Sequence, residues 1–195
     1  MSISGVAEMT DVEQRDWREV SDVGIAAARV EWAGAAREML LVAARKYQAL
    51  VQYKDIAAGV QERTGIRTKQ PTRQWMGGVL AEVSGESLRQ GEPMLSAFCV
   101  NADESVFDGY AAIVGAATGT TPADPDAYAA QERLAAYRHF EAAGLPEDGG
   151  TAMIPAKLAA AKARARKAAI AERPVNACSR CNLQMPASGV CDTCD

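Results

Sequence analysis

The last eighteen residues, Cys178 to Asp195, read CSRCNLQMPASGVCDTCD and hold four of the chain's five cysteines. The spacing is Cys178-x2-Cys181, then nine residues, then Cys191-x2-Cys194. Each C-x-x-C can place two sulfurs on one tight knuckle, and two facing knuckles complete a tetrahedron at about 2.3 Å from a zinc ion. The spacer holds Pro186 and Gly189 and is long enough for a short hairpin. Leu183, Met185 and Val190 are almost its whole apolar content, so burial cannot fold this stretch. Metal ligation would supply the folding energy. The spacing therefore predicts a four-cysteine zinc ribbon over residues 176–195, with one structural Zn2+ and no open position for catalysis. A redox pair of C-x-x-C motifs is the alternative. It expects a thioredoxin-like βαβ context, which the chain lacks.

The remaining residues must fold by burial. Hydrophobic residues make up 48% of the 195, but many are alanine, and aromatics are only 6%. That supports one modest core rather than a large enzyme-like one. The net charge of −4 hides local contrasts. Residues 1–22 carry six acids against Arg15 and Arg18, whereas residues 151–173 set six bases against Glu172 alone. No continuous apolar run reaches membrane-spanning length. The first residues have neither a basic nor an apolar leader region, and the clustered cysteines are not a secreted disulfide framework. The expected compartment is the cytoplasm, with no membrane partner.

Four regions follow from the patterning. Residues 1–29 read as an acidic, loosely helical segment with Trp17 as its one strong anchor. Residues 30–115 read as a compact domain. A helix from Ser21 to about Leu50, capped by Ser21 or Asp22, leads into it and carries Ile25, Ala28, Trp32, Ala36 and Leu40 at helical spacing. Val51 and Tyr53 suggest a short strand. A helix begins at Lys54 or Asp55 and ends at Gly65. Another begins at Pro71 or Thr72 and presents Trp75, Met76, Val79, Leu80 and Val83. Its Gly77-Gly78 pair suggests close packing against a neighbour. Strands over Met94–Val100 and Tyr110–Val114, around the acidic loop NADESVFDG, read as a β-hairpin. Residues 116–175 read as a helical connector, with helices near 125–143 and 154–172, the second rich in Ala, Lys and Arg.

Helix, strand, helix, helix, strand, wing, strand is the order of a winged helix, a helix-turn-helix variant. The predicted fold class is thus mainly α with a small β-hairpin, an α+β winged helix, plus the C-terminal four-cysteine zinc ribbon. Thr72–Val83 is the candidate recognition helix. Between residues 45 and 90 there are eight bases against four acids. Arg67, Lys69, Thr72, Arg73 and Gln74 cluster at the start of that helix, where side chains and backbone amides can reach phosphates or base edges.

The stretches LVQYKDIAAGVQ, RQWMGGVLAEV and EPMLSAFCVN resemble, in order, the TYGELA segment, the arginine-started recognition helix and the Pro-Cys-His-Arg-Val strand of alkylguanine-DNA alkyltransferases and alkyltransferase-like proteins. The likeness is one of pattern and covers about 65 residues, 45–110. It implies DNA-binding geometry, with Arg73 as counterpart of the helix arginine. It does not carry the repair chemistry, because Ser96 stands at the alkyl-acceptor position, Ala97 and Phe98 replace His and Arg, and Cys99 falls at an inward valine position. The chain is also similar to uncharacterised bacterial and phage proteins that join such a domain to a C-terminal zinc ribbon.

Other chemistry is sparse. His139 is the lone histidine, Cys99 reads as a buried thiol, and the sequence has no phosphate-binding glycine loop or nucleophile elbow. The chain is therefore read as a non-enzyme with no small-molecule substrate. Lys162, Arg164, Arg166 and Lys167 either track phosphates or solvate a spacer helix. The leading expectation is a regulatory or accessory protein that binds double-stranded DNA. The acids Asp103, Glu104 and Asp108 of the wing would repel phosphate, which keeps open an adaptor or assembly component docking a larger protein complex.

Overall fold

The computed structural model describes residues 16–172, 177–183, 185, 191, 193 and 194. The expected acidic segment lies outside the described residues up to position 15. The chain divides into two compact units, one ending at Pro155 and one beginning at Ala156.

The first unit is mainly helical. Its centre is α2 (Ile25–Ala44), which buries Ala28, Trp32, Ala36, Leu40 and Ala43 along one face. The small alanines let α3 (Tyr53–Thr64) and α4 (Thr72–Arg89) both pack closely on it. Trp32 anchors the junction: its ring lies 4.5 Å from that of Trp75, and its Nε1 donates to the Ile66 carbonyl at 3.1 Å. Both tryptophans are buried, as are Met76, Val79, Leu80 and Val83, the stripe expected of α4.

The helix ends show where local signals governed. Gly65 closes α3 with φ 66, its N–H on the Gln61 carbonyl at 2.9 Å, as expected of a left-handed glycine cap. At its other end α2 departs from expectation. A separate short helix α1 (Val20–Val23) comes first, and Gly24 at φ 86, a backbone region that disfavours side chains, turns the chain into α2. The expected caps Ser21 and Asp22 fall inside α1. α2 stops at Ala44, short of Leu50, because a tertiary contact captures the chain: Ala143 N–H donates to the Arg45 carbonyl and Tyr47 N–H to the Ala143 carbonyl, at 2.8 and 3.0 Å. The paired glycines of α4 behave differently from each other. A Cβ at Gly78 would meet Arg29 Nε at 2.8 Å, whereas one at Gly77 would meet nothing within 4 Å.

Strands are short and paired in parallel. β1 (Arg18–Glu19) pairs with β3 (Ile66–Arg67), and β2 (Val51–Gln52) pairs with β4 (Cys99–Val100). The expected β-hairpin is corrected here. Residues Leu95–Phe98 form a 3-10 turn rather than a strand. Leu95, Ser96, Ala97 and Phe98 are all fully buried and pair with no strand; only Cys99–Val100 continues as β4. Side chains of α6 (Pro125–His139) hold the backbone just before and within this turn. Glu132 Oε2 accepts from Met94 N at 2.8 Å, and the buried Arg133 donates to the Ala97 carbonyl at 2.9 Å.

The second expected strand is helix α5 (Tyr110–Thr118). Its buried residues are Tyr110 and Val114, four apart, which is a helical spacing. The acidic loop survives as a tight turn. Asp103 Oδ1 accepts from Ser105 N and Oγ at 3.0 and 2.6 Å, and an isolated antiparallel bridge joins Val100 to Val106. From residue 116 to Pro155 the chain stays within the first unit. α6, capped by Asp124, packs on the 3-10 turn, and Tyr137 donates its hydroxyl to the Ala49 carbonyl at 3.2 Å.

The second unit holds α7 (Ala156–Ala171) and the cysteine segment. Among the described residues no helix is long and apolar enough to cross a membrane.

Candidate functional site

The four C-terminal cysteines come together. The Sγ atoms of Cys178, Cys181, Cys191 and Cys194 all lie within 4.8 Å of one another, with Cys181 and Cys191 3.5 Å apart. A tetrahedral thiolate site has sulfur–sulfur edges of about 3.8 Å, so the cluster has the dimensions of one. The first knuckle is shaped by its backbone. Cys178 N donates to Leu183 O and Asn182 N to Cys178 O, both at 2.8 Å, with Asn182 in the left-handed region at φ 59. That turn aims Arg180 N at Cys178 Sγ, 3.4 Å away. In the second knuckle Cys194 N donates to Cys191 O at 3.2 Å. Arg180 ties the two together, its Nη1 reaching the Cys194 carbonyl at 3.3 Å. Cysteine spacing alone does not reveal that tie. The spacer hairpin with Pro186 and Gly189 lies outside the described residues.

Electrostatics separate the thiols. The backbone N–H groups of Cys181 and then Arg180 hold the Cys178 thiol down to about 6. Cys181 goes the other way, to about 11: the Leu183 N–H favours its thiolate, but Cys194, burial, Cys191 and Cys178 together outweigh it. Four sulfurs this close resist ionising together, and a cation at their centre would remove that conflict. The geometry and the donor set can therefore hold a metal ion.

The nucleic-acid candidates fall in both units. Arg67 is in β3, Lys69 in the following turn, and Thr72, Arg73 and Gln74 in the first turn of α4. Arg73, Gln74 and Lys69 are exposed, and Thr72 is half-buried. Arg67 is engaged: its Nε donates to Glu19 Oε1 at 2.6 Å, and its guanidinium lies 5.9 Å from the centre of the Trp17 ring. Neither Glu19 nor Trp17 stands out as a site residue in the sequence; the excess of acids in residues 1–22 is the one hint. Lys69 lines a shallow groove with Glu19, Val20, Ser21, Thr68 and Gln70.

In the second unit Lys162, Arg164, Arg166 and Lys167 lie on α7, and all four are exposed. At 100° per residue they do not form one stripe. Lys162 and Arg166 share one side, and Arg164 and Lys167 share another.

The remaining thiol and hydroxyl candidates are sealed. Cys99 is fully buried, and burial pushes its thiol far above the ordinary range. Ser96 Oγ is buried 2.7 Å from Ser84 Oγ. Comparison with protein-family models, curated proteins and solved structures gave no match.

Proposed function

We propose that the chain is a DNA-binding regulatory or accessory protein whose α3–turn–α4 segment meets duplex DNA and whose cysteine segment is a structural zinc ribbon. The observation that carries the DNA reading is the cationic turn: Lys69, Arg73 and Gln74 are exposed where α4 begins, and α3 and α4 both pack on α2. That is how a helix-turn-helix offers the first turn of its second helix to a groove. The reading retains the helix-turn-helix part of the alkyltransferase-like resemblance and omits the antiparallel wing. It includes no alkyl transfer, since Ser96 and Cys99 are buried. Zinc is the metal that best suits four thiolates at tetrahedral spacing, and a closed shell gives it a folding role.

A protein-docking reading has one specific observation behind it. Leu88 is 43% exposed beside a groove lined by Ala81, Ala112, Ile113, Ala116 and Ala117.

The deciding experiment is a titration of duplex DNA at two salt concentrations. Arg73→Ala is expected to cost roughly 1–3 kcal/mol and relax sequence preference if Arg73 reads a base, whereas Lys69→Ala weakens all sequences alike and lowers the salt slope by about one. If the wild-type chain binds no duplex at low salt, or both variants bind like wild type, protein docking becomes the reading, and Leu88 is the next residue to change.

A further inference from the structure

Arg67 has the position of a phosphate contact, between the end of α3 and the start of α4, yet its side chain is already in use. Three features of β1 arrange this. The backbone of Arg18–Glu19 pairs in parallel with Ile66–Arg67, and Arg18 N donates to the Gly65 carbonyl at 2.8 Å. The Arg18 side chain locks the strand in addition, bonding the Thr64 carbonyl at 3.2 Å and Glu31 at 2.9 Å. With the backbone register fixed in this way, Glu19 falls opposite Arg67 and pairs with it at 2.6 Å, while Trp17 lies against the same guanidinium. The strand thus brings an anion and an aromatic face to a cation of the turn.

We infer that residues 17–19 form a strap whose Glu19 carboxylate competes with nucleic-acid phosphate for Arg67, so that the chain binds DNA below its full cationic capacity until the strap is displaced. This rests on the DNA-binding reading given above. The competition is chemically direct. A carboxylate and a phosphate oxygen take the same guanidinium donors, and only one can hold them in a given geometry. The Arg67–Glu19 pair is half-exposed, with side-chain exposures of 51% and 31%. Such a pair is weak enough for a polyanion to displace and strong enough to bias binding. The strap's hold on the backbone does not depend on Glu19, so the carboxylate can be removed with the strand in place.

The test uses the full, metal-loaded chain and a mixed-sequence DNA duplex titrated at two salt concentrations. Glu19→Gln is expected to tighten binding about two- to fivefold, the weight of one half-exposed ion pair. It should also steepen the salt dependence by about one phosphate contact. Asp22→Asn makes the same change in net charge but alters a side chain whose partner is Ser21 Oγ at 3.2 Å, and it should leave affinity where it was. In an Arg67→Ala background the gain from Glu19→Gln should vanish, as a coupling between those two residues requires. If wild type binds duplex and Glu19→Gln binds identically, the strap is overturned while the DNA reading stands. Equal tightening by Asp22→Asn, or a gain that persists without Arg67, overturns it as well, since net charge then accounts for the effect. If neither wild type nor Glu19→Gln binds duplex, the DNA reading itself falls and takes the strap with it.

Discussion

Trp32 and Cys178 are both buried, at 0% and 6% exposure, and they are buried for different reasons. Trp32 is surrounded by the alanine face of α2, by Trp75 and by the chain at Ile66, so removal of apolar surface from water holds it. Cys178 sits among three other sulfurs and a backbone turn, with few apolar residues in its segment to bury. One region is stabilised by what it excludes and the other by what it can bind. The difference teaches that the two should fail under different insults, and that each can be broken without the other.

The largest effect should come from metal removal. Chelation, or Cys181→Ser, is expected to abolish binding of one zinc per chain and to disorder residues 176–195, because apparent zinc binding free energies of about 10–16 kcal/mol are folding energy in such modules. The helices of residues 30–115 should persist in circular dichroism. Metal content near zero in protein purified under reducing conditions would break the comparison at its root. Thiol labelling sharpens it: four cysteines should react once the metal is stripped, and Cys99 only after the first unit unfolds, since burial keeps it protonated.

Next in size is Trp32→Ala. It should lower the denaturant stability of the first unit by about 3–5 kcal/mol, as large aromatic truncations in cores do. Metal content should stay at one per chain. Loss of zinc from this variant under conditions where the helices persist would show that the two regions are not separate in their energetics.

A smaller effect tests whether buried polar groups of the first unit work as a pair. Ser84 Oγ bonds both the Leu80 carbonyl and Ser96 Oγ, at 2.9 and 2.7 Å. Ser96→Ala should cost about 1 kcal/mol, and Ser84→Ala with Ser96→Ala should cost less than the sum of the singles, because a lone buried hydroxyl is worse than none. Additive losses in urea melts would argue against the pairing.

The smallest concerns the cap of α6. Asp124 Oδ1 accepts from Asp126 N and Ala127 N, both at 3.1 Å. Asp124→Ala should cost about 1 kcal/mol or less, and Asp124→Ser should recover most of it. Equal loss with serine would mean the side chain does more than cap.

Several features were legible along the chain because they are local. The C-x-x-C knuckles need only the turn that each pair spans. The stripes of α2 and α4 need only helical spacing, and Gly65 needs only its own freedom at positive φ. The candidate cations at the start of α4 were legible as residues, though not their state: the pairing of Arg67 with Glu19 spans 48 positions and depends on the β1–β3 register.

What the tertiary structure alone decided lies between Met94 and Thr118. Taken singly, Phe98, Cys99 and Val100 suit a strand, and so do Tyr110, Ile113 and Val114. A hairpin strand needs a partner edge, and residues 95–98 pair with none. Arg133 of α6 meets the Ala97 carbonyl and Glu132 the preceding Met94 N–H instead, and the chain takes a tight 3-10 turn. What remains of the first strand, Cys99–Val100, pairs with β2 instead, and Tyr110–Thr118 satisfies its own backbone as a helix and turns Tyr110 and Val114 inward. By itself the sequence determined the cysteine knuckles and the three helices around Trp32, since their hydrogen bonds and apolar spacing close within a few residues. The wing was decided against by partners more than thirty residues away, which no local pattern encodes.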